Sequence, residues 1–362
     1  MRSHYLAICL GLTGCLAALT LPLVAQELPK LASIPILMRQ REVDPATKLA
    51  LLRESIPAAK SYTSEPEKLS DRIRISGSTW RLDVFGDGSG AEFADADAFE
   101  RAHSSGVQPS QAMSNEALEA SGRAFVERTL SRLIVLQQDE RLVLAATSRR
   151  TEGGVAPGGE RAYSAVVANR VVFSREIGGI PVVGAGSKVT VTFLNDGAVA
   201  SFRYDWPMYT RTGRVQAMAA PIEVLHRLQR VSGVRTKTEA DRALEAPPNL
   251  ESITGPIKLG ANVELQDMKC GYYDPGLALR DQAAPIQAGC YYHLLETRGE
   301  GEYVTTAGYS GAVPAAASFE PDTRWPEANV LLGVKTKEQE GRNAGSSKKI
   351  QPVTPRPGAQ DQ

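Results

Sequence analysis

The amino-acid sequence predicts an α+β protein in which two modules each pack a helix on an antiparallel sheet. Three observations support this fold class. Apolar residues recur at helical spacing over residues 114–136, apolar and polar residues alternate over residues 188–193, and a helix followed by strands occurs again after residue 221. Aromatic content is low, at 6%, and the chain contains 32 Gly and 22 Pro, a composition that fits a protein of strands and loops better than a helical bundle.

The first residues have the pattern of a signal peptide. Arg2 supplies a positive charge, an apolar stretch follows, and polar sequence begins at Gln26 after the small residue Ala25. Glycines and a proline interrupt the stretch and no basic stop-transfer cluster follows it, which favours cleavage over a retained transmembrane anchor. Residues 1–25 are therefore predicted to be removed, which leaves no membrane span in the mature chain.

The same leader contains a lipobox-like sequence, LTGC, at residues 12–15. In a lipoprotein the thiol of Cys15 would be acylated and would tether the protein to a membrane. The apolar stretch continues well beyond Cys15, whereas a mature lipoprotein usually turns polar at once. The predicted location is periplasmic or secreted, with a lipid anchor at Cys15 as the alternative.

Composition and patterning divide the rest of the chain into four regions. Residues 26–111 form a lead-in region, residues 112–212 the first α+β module and residues 213–334 the second, which contains a disulfide. From residue 335 the sequence is rich in Lys, Gln, Gly, Ser and Pro and has no apolar period. Residues 335–362 are accordingly predicted to be a disordered tail.

The lead-in region is predicted to contain a short helix at residues 45–54 and a hairpin of residues 80–85 and 91–93. The glycine-rich link of the hairpin lacks the Gly-Lys-Ser/Thr of a phosphate loop, so it is interpreted as a turn. Asp95 and Asp97 resemble a catalytic carboxylate pair, but their place before an apolar helix start favours helix capping.

The first module begins at Ser114, a favourable N-cap for a helix that extends to about residue 136. A strand at residues 141–146 and a loop at residues 153–159 follow. Residues 188–193 then form a strand half open to water, and NDG at residues 195–197 makes the turn. The return strand is predicted to place four residues on one face: Ala200, Phe202, Tyr204 and Trp206.

In the second module, a helix starts at Pro221 and stops at Gly233. A polar loop at residues 236–256 leads to three strands, at residues 263–273, 289–296 and 302–308. The only cysteines outside the leader are Cys270 and Cys290, and an even pair in an oxidising compartment is most simply one disulfide. The alternative is a reactive thiol, which would need a basic neighbour or a helix N-terminus. Lys269 is the only basic residue close to Cys270 in the sequence.

Part of the first module resembles a known family. It resembles the PepSY/FTP-type modules found in propeptides of secreted thermolysin-like proteases. The similar features are the sequence FSREIGGIPVVG from Phe173, the alternating strand that follows it, the NDG turn and the return strand. The resemblance is best over residues 163–206, with a weak second copy over residues 221–293. It implies cystatin-like helix-on-sheet modules with a non-catalytic role as inhibitor, chaperone or protein-binding domain. No His-Glu-x-x-His follows, so no cognate protease is expected in cis, which departs from the propeptide context.

Catalytic, metal and cofactor motifs are not found in the sequence. His103, His226 and His293 have no metal-ligand spacing, neither mature cysteine belongs to a Cys-x-x-Cys, and no Gly-x-Ser-x-Gly elbow is present. We therefore predict no catalytic residue, no metal and no cofactor. A formal net charge of +0 gives no field to attract nucleic acid, so no nucleic-acid partner is expected.

Aromatic residues provide the candidate binding surface. Six of them end the best strand or flank the cysteines, namely Trp206, Tyr209, Tyr272, Tyr273, Tyr291 and Tyr292. Aromatic side chains with polar tips are favoured at interfaces, and one member of each adjacent tyrosine pair should be exposed. The predicted function is binding of an extracytoplasmic protein or peptide through a sheet edge or a concave sheet face. A cell-envelope hydrolase with dispersed carboxylates and a structural envelope component are the alternatives.

Overall fold

The computed structural model describes residues 32–40, 42–104, 106–155, 162–231, 257–259, 262–277, 285–298 and 305–318. Several sequence predictions lie outside the described residues. They are the signal peptide at residues 1–25, Cys15, the helix stop at Gly233, the loop at residues 236–256 and the tail at residues 335–362.

Fifteen strands and five α-helices occur in the described part of the chain. The helices are α1 (Pro45–Ser55), α2 (Pro57–Lys60), α3 (Ala96–Ser104), α4 (Asn115–Phe125) and α5 (Pro221–Val231). The strands are β1 (Ser33–Arg39), β2 (Glu67–Lys68), β3 (Arg72–Ser76), β4 (Trp80–Phe85), β5 (Gly90–Asp95), β6 (Glu140–Val155), β7 (Ala162–Ile177), β8 (Ile180–Gly184), β9 (Lys188–Phe193), β10 (Val199–Asp205), β11 (Tyr209–Ala217), β12 (Ile257–Lys258), β13 (Val263–Asp274), β14 (Gln287–Arg298) and β15 (Thr305–Pro314).

The fold is β-rich, so the prediction of two cystatin-like helix-on-sheet α+β modules is wrong. Within the described residues, thirteen strands form one sheet in the order β15-β14-β13-β8-β7-β9-β10-β5-β4-β3-β2, with β12 beside β13 and β6 beside β7. Strands β1 and β11 form a separate antiparallel pair. Strands β2 to β5, from the region predicted as a lead-in, extend the sheet outward from β10.

Strand β8 makes the two halves of the sheet continuous. Residues 182–184 pair in parallel with residues 272–274 of β13, whereas Ile180 pairs with Ile177 of the neighbouring β7. The helices are thus additions to a sheet that runs through both predicted modules. Local periodicity could not reveal this arrangement, because the paired segments are far apart in the sequence.

Two apolar cores lie on the same side of the sheet, called here the inner face. Phe173 on β7 belongs to the first core and Ile177 on the same strand to the second. Residues separated by an even number of positions on a strand point to the same side, so both cores share one face. Helices α1, α2 and α4 cover the first core, and α5 covers the second together with β1 and β11.

A buried ion pair lies between these two cores. Arg175 is on the inner face of β7 between Phe173 and Ile177. Its guanidinium donates a hydrogen bond to the Glu140 carboxylate, which makes a salt bridge. Both side chains are 1% exposed. The guanidinium carbon of Arg175 lies 4.8 Å from the ring centroid of Trp206 and 4.9 Å from that of Tyr209. One cation is therefore enclosed by a carboxylate and two aromatic rings.

Several local predictions are confirmed. The hydroxyl of Ser114 caps α4 by accepting a 3.2 Å hydrogen bond from the backbone N–H of Ala117. In the predicted turn between β9 and β10, Gly197 has a φ of 85°. Helix α5 starts at Pro221 as expected. The Gly-rich link joins β4 and β5 as a hairpin, and the Asp95 carboxylate accepts from the backbone N–H of Ala98, as a cap does.

Other local predictions need correction. The helix expected over residues 114–136 leaves α-helical geometry after Phe125 and continues only as a π-helical turn, Val126–Leu130. Strand β6 is much longer than the predicted strand at residues 141–146. On β10, Ala200 lies in a separate small cluster from Phe202, because a register irregularity between Val199 and Ser201 reverses the alternation.

The predicted disulfide is present between Cys270 and Cys290, which are directly opposite on β13 and β14. A structural disulfide indicates an oxidising environment outside the cytoplasm. Among the described residues, no helix has both the length and the apolar composition needed to cross a membrane.

Removing the disulfide with the double substitution Cys270→Ala/Cys290→Ala is expected to lower the free energy of unfolding by about 3 kcal/mol. The cross-link joins residues separated by 20 positions and so restricts the unfolded chain. Guanidinium denaturation of the parent and the variant under oxidising conditions measures the difference. Equal denaturation midpoints with equal slopes would contradict the expectation.

Candidate binding surface

Five of the six aromatic residues predicted to bind a partner are buried. They are Trp206, Tyr209, Tyr272, Tyr273 and Tyr292. Trp206 belongs to the first core, whereas Tyr209, Tyr272 and Tyr292 belong to the second. The sixth residue, Tyr291, is half-buried. The partner surface therefore cannot be formed by all six side chains in this structure.

Tyr272 and Tyr273 are both buried, so the expectation that one of them is exposed is wrong. Their side chains point to opposite faces of the sheet, as alternation requires, but other side chains pack against the sheet on both faces at this point. Tyr272 packs in the second core, and Tyr273 packs on the outer face with Val183 and Ala312. Burial raises the pKa of Tyr272 to about 12, so its hydroxyl is neutral at physiological pH.

On the outer face, a small apolar cluster and the lysine beside it make a group of five side chains, called here the crease. Its members are Val183, Lys188, Tyr273, Tyr291 and Ala312. Strand β9 supplies Lys188, whereas Tyr291 comes from β14, four strands away in the sheet order. Even so, Lys188 Nζ lies 5.6 Å from the centroid of the Tyr291 ring. They can approach because β8 and β9 pair with successive parts of the same edge of β7, whose other edge is occupied by β6.

Glycines allow the two tyrosines to share this surface. Gly271 and Gly289 are directly opposite on β13 and β14, at positions that alternate with core residues and so face outward. A Cβ atom on Gly271 would lie only 2.0 Å from the Pro181 carbonyl oxygen of β8. Side chains are thus excluded between Tyr273 and Tyr291, which leaves room for their rings.

The charge of Lys188 is affected by its partial burial. Burial lowers the pKa of Lys188, the Asp274 carboxylate opposes that change, and the nearby Lys269 adds to it. A partly desolvated ammonium over an aromatic face has a stronger cation–π attraction than one in bulk water. Lys188 and Tyr291 therefore form a pre-arranged cation and ring pair at the surface.

Polar groups form the rim of the crease. The exposed ring of His293 lies 5.2 Å from the Tyr291 ring, edge to face, and its Nδ1 is 2.6 Å from the Ser310 hydroxyl. Lys269 is exposed and directly opposite Tyr291 on the neighbouring strand. Asp267 is in turn opposite His293. The rim can thus offer both cationic and hydrogen-bonding groups to a ligand.

A buried carboxylate holds the segment that presents Lys188. Asp274, 1% exposed, accepts hydrogen bonds on Oδ2 from the Ser187 hydroxyl at 2.8 Å and from the Tyr209 hydroxyl at 2.9 Å. Its Oδ1 accepts from the backbone N–H of Gly276 at 3.0 Å. Several donors around one carboxylate offset the cost of burying it.

The backbone around this carboxylate is shaped by special conformations. Ser187 has a φ of 52°, in the left-handed region that side chains other than glycine rarely adopt. A Cβ atom on Gly186 would lie 2.2 Å from the Asp274 carboxyl carbon. Ser187 immediately precedes Lys188, so the bond from Ser187 to Asp274 fixes the start of β9 and the direction of the lysine.

Sequence reasoning missed Ser187, Lys188 and Asp274. The one local signal is the glycine-containing run GAGSK at residues 184–188, which indicates unusual backbone but not its partner. Asp274 directly follows a predicted strand, as many loop residues do. Within the described part of the chain, no three His, Cys, Asp or Glu side chains are grouped as metal ligands.

No protein-family model and no curated protein sequence matches this chain. Among solved structures, the chain is similar to the crystal structure of an uncharacterized protein from Eubacterium rectale, with a TM-score of 0.41 and 8% sequence identity. The alignment covers 80% of this chain and 87% of that protein. Similarity at this level assigns no function.

Proposed function

We propose that this chain binds a protein or peptide partner outside the cytoplasm and that the crease is its binding surface. The observation that carries the proposal is the pairing of Lys188 with the ring of Tyr291, at 5.6 Å. Tyr291 is the member of the predicted aromatic set that remains partly open to solvent. A tyrosine can bury apolar area while its hydroxyl stays hydrogen bonded, which makes it a frequent anchor of interfaces.

The two lysines at the crease can pair with acidic groups of a ligand. Lys188 and Lys269 provide positive charge on this part of the outer face, and Asp267 is the nearby acid on β13. The carboxylate of Asp274 is buried beneath them. An extended peptide could place a carboxylate at the lysines and an apolar side chain on Tyr291, which would combine charge complementarity with aromatic contact.

We propose that the protein acts in the periplasm or as a secreted protein, with a lipid anchor at Cys15 as the alternative. The N-terminal pattern of charge followed by an apolar stretch supports export. The resemblance of residues 163–206 to PepSY/FTP-type sequences supports a non-catalytic role. Mass spectrometry of the mature N-terminus distinguishes cleavage near residue 25 from acylation of Cys15.

Peptide-display selection on the immobilised full chain, followed by calorimetry of the enriched peptides, tests the binding proposal. We expect acidic peptides with an apolar residue to be enriched. Tyr291→Ala should weaken their binding by tenfold or more, since truncating an interface anchor typically costs about 2 kcal/mol or more. Lys188→Met should also weaken binding, because it removes the charge that pairs with the peptide carboxylate.

Lys68→Met is the matched control, since Lys68 is an exposed lysine on β2 at the opposite edge of the sheet. This control should bind the enriched peptides as the parent does. Peptides that bind the parent and Tyr291→Ala with the same Kd would place the site elsewhere. Absence of any enriched peptide would contradict peptide binding itself.

A further inference from the structure

The peptide bond between Gly186 and Ser187 lies in an unusual setting between β8 and β9. Among the described residues, Ser187 is the one residue other than glycine that has a positive φ, 52°. Its side chain is fully buried. Left-handed backbone at such a residue is strained, persists only where the surrounding structure holds it, and occurs most often at functional sites. Ser187 is therefore a strained residue held in place by its neighbours.

One buried carboxylate contacts both residues of this bond. The Ser187 hydroxyl donates to Asp274 Oδ2 at 2.8 Å. A Cβ atom on Gly186 would lie 2.2 Å from Asp274 Oδ1 and 2.3 Å from Oδ2, so the carboxylate packs directly against Gly186. The Gly186 backbone N–H also donates to the Asp274 carbonyl oxygen, at 3.1 Å. Asp274 thus places a base at the hydroxyl and holds the residue that precedes it.

The backbone conformation of Ser187 turns its side chain towards the preceding carbonyl group. At a positive φ, the Cβ atom is gauche to the carbonyl carbon of Gly186, whereas at the φ of a β-strand these two atoms are farther apart. Attack of the hydroxyl oxygen on that carbon closes a five-membered ring, which requires the gauche arrangement. A nucleophile held in this way reacts within the molecule at a high effective concentration.

We propose that the chain cleaves its own Gly186–Ser187 bond, through transfer of the Gly186 acyl group from nitrogen to the Ser187 hydroxyl oxygen and then hydrolysis. In the first step, Oγ attacks the Gly186 carbonyl carbon while its proton passes to the Asp274 carboxylate. The carbon–nitrogen bond then breaks, and Asp274 returns the proton to the departing nitrogen. An ester and a free amine result, and the strain at Ser187 is relieved because the amide no longer exists.

Water completes the reaction. Asp274 takes a proton from a water molecule whose oxygen attacks the ester carbon, and the ester carbon–oxygen bond breaks as Oγ regains a proton. The products are a carboxylate on Gly186 and a free amine on Ser187. Ala185, which precedes this bond by one residue, is exposed, so solvent is close. This reaction does not depend on peptide binding at the crease, and it is measured by chain mass instead of affinity.

A second Gly-Ser bond in the chain provides an internal control. Ser89 follows Gly88, is fully buried, and donates from its hydroxyl to the Asp87 carboxylate at 2.8 Å. Its φ, however, is not positive. The Gly88–Ser89 bond should therefore stay intact, which separates the effect of the serine's backbone conformation from that of a carboxylate beside a buried hydroxyl.

Intact mass spectrometry and N-terminal sequencing of the purified full chain, incubated at neutral pH, test the proposal. We expect one fragment that ends at Gly186 and one that begins at Ser187. The fragments should stay together under native conditions, because β9 of the second pairs with β7 of the first. Hydroxylamine attacks esters in preference to amides, so it should speed cleavage and leave a hydroxamate on Gly186.

Four variants assign the chemistry to these residues. Ser187→Ala removes the nucleophile and should abolish cleavage, whereas Ser187→Cys keeps a nucleophile and should still cleave. Asp274→Asn should slow cleavage about a hundredfold or more, because a general base is lost. Ser89→Ala is the matched control and should cleave at the rate of the parent. Circular dichroism shows whether each uncleaved variant is folded.

Several results would overturn the proposal. A parent chain that stays intact both with and without hydroxylamine has no reactive bond at this position. Cleavage of Ser187→Ala at the rate of the parent would show that a protease or another group cuts the chain. Equal cleavage at Gly88–Ser89 would show that the strained conformation has no role, and an intact but folded Ser187→Cys would exclude attack by the side chain.

Discussion

Replacing Arg175 by methionine is expected to lower the free energy of unfolding by about 3–5 kcal/mol. The substitution leaves the Glu140 carboxylate, 1% exposed, without its cation between the two cores. It also removes the donor to the Pro207 carbonyl and the guanidinium that stacks on Trp206. Denaturant unfolding followed by fluorescence and by circular dichroism measures the change.

A double-mutant cycle separates the ion pair from the rest of the environment. Glu140→Gln alone should be destabilising, because it leaves the buried guanidinium without a counter-ion. Arg175→Met/Glu140→Gln should cost clearly less than the sum of the single changes, since no unpaired charge remains. Arg132→Met breaks the exposed pair with Glu54 and should change stability by less than about 0.5 kcal/mol. Additive single effects would show that the pair is not coupled.

Replacing Asp274 by alanine is the second substitution with a large expected effect, about 2–4 kcal/mol of stability. The change leaves the hydroxyls of Ser187 and Tyr209 and the backbone N–H of Gly276 without their acceptor in a buried site. Each unsatisfied buried donor costs about 1–3 kcal/mol, less what local relaxation recovers. Thermal and denaturant unfolding of the variant gives the loss directly.

Asp274→Asn provides the matched comparison because it keeps the shape of the side chain. Its amide has one acceptor oxygen, whereas the native carboxylate accepts on both oxygens. We therefore expect a smaller loss than for alanine, together with weaker peptide binding at the crease as the Ser187 segment loosens. If Asp274→Ala is as stable as the parent, the carboxylate does not hold this segment.

The elements that sequence predicted well are those specified by neighbouring residues. Ser114 caps α4, Pro221 starts α5, and the turn at Gly197 links β9 to β10. In each of these cases the signal lies within a few residues of the element. Hydrophobic alternation also assigned Phe202 to the core.

What could not be predicted depends on contacts between distant segments. The parallel pairing of β8 with β13 merges two expected modules into one sheet, and no local pattern encodes it. Val183 and Ala312, from strands distant in sequence, pack against Tyr273, which alternation alone would have left exposed. The sequence pattern indicates only that Lys188 is a polar strand residue. Its position over Tyr291 depends on the hydrogen bond between Ser187 and Asp274, which are far apart in the sequence.

Lysine-methyl NMR tests most directly whether Asp274 and Ser187 hold Lys188 over Tyr291 to form a binding surface. After reductive methylation with ¹³C, the Lys188 resonance can be assigned by its absence in Lys188→Arg. It should be shifted by the Tyr291 ring and should titrate with a pKa below those of exposed lysines, because Lys188 is partly buried.

The ring shift should disappear in Tyr291→Ala and decrease in Ser187→Gly, and the resonance should move when an enriched acidic peptide is added. A Lys188 resonance that coincides with those of exposed lysines and does not respond to the peptide would contradict the account.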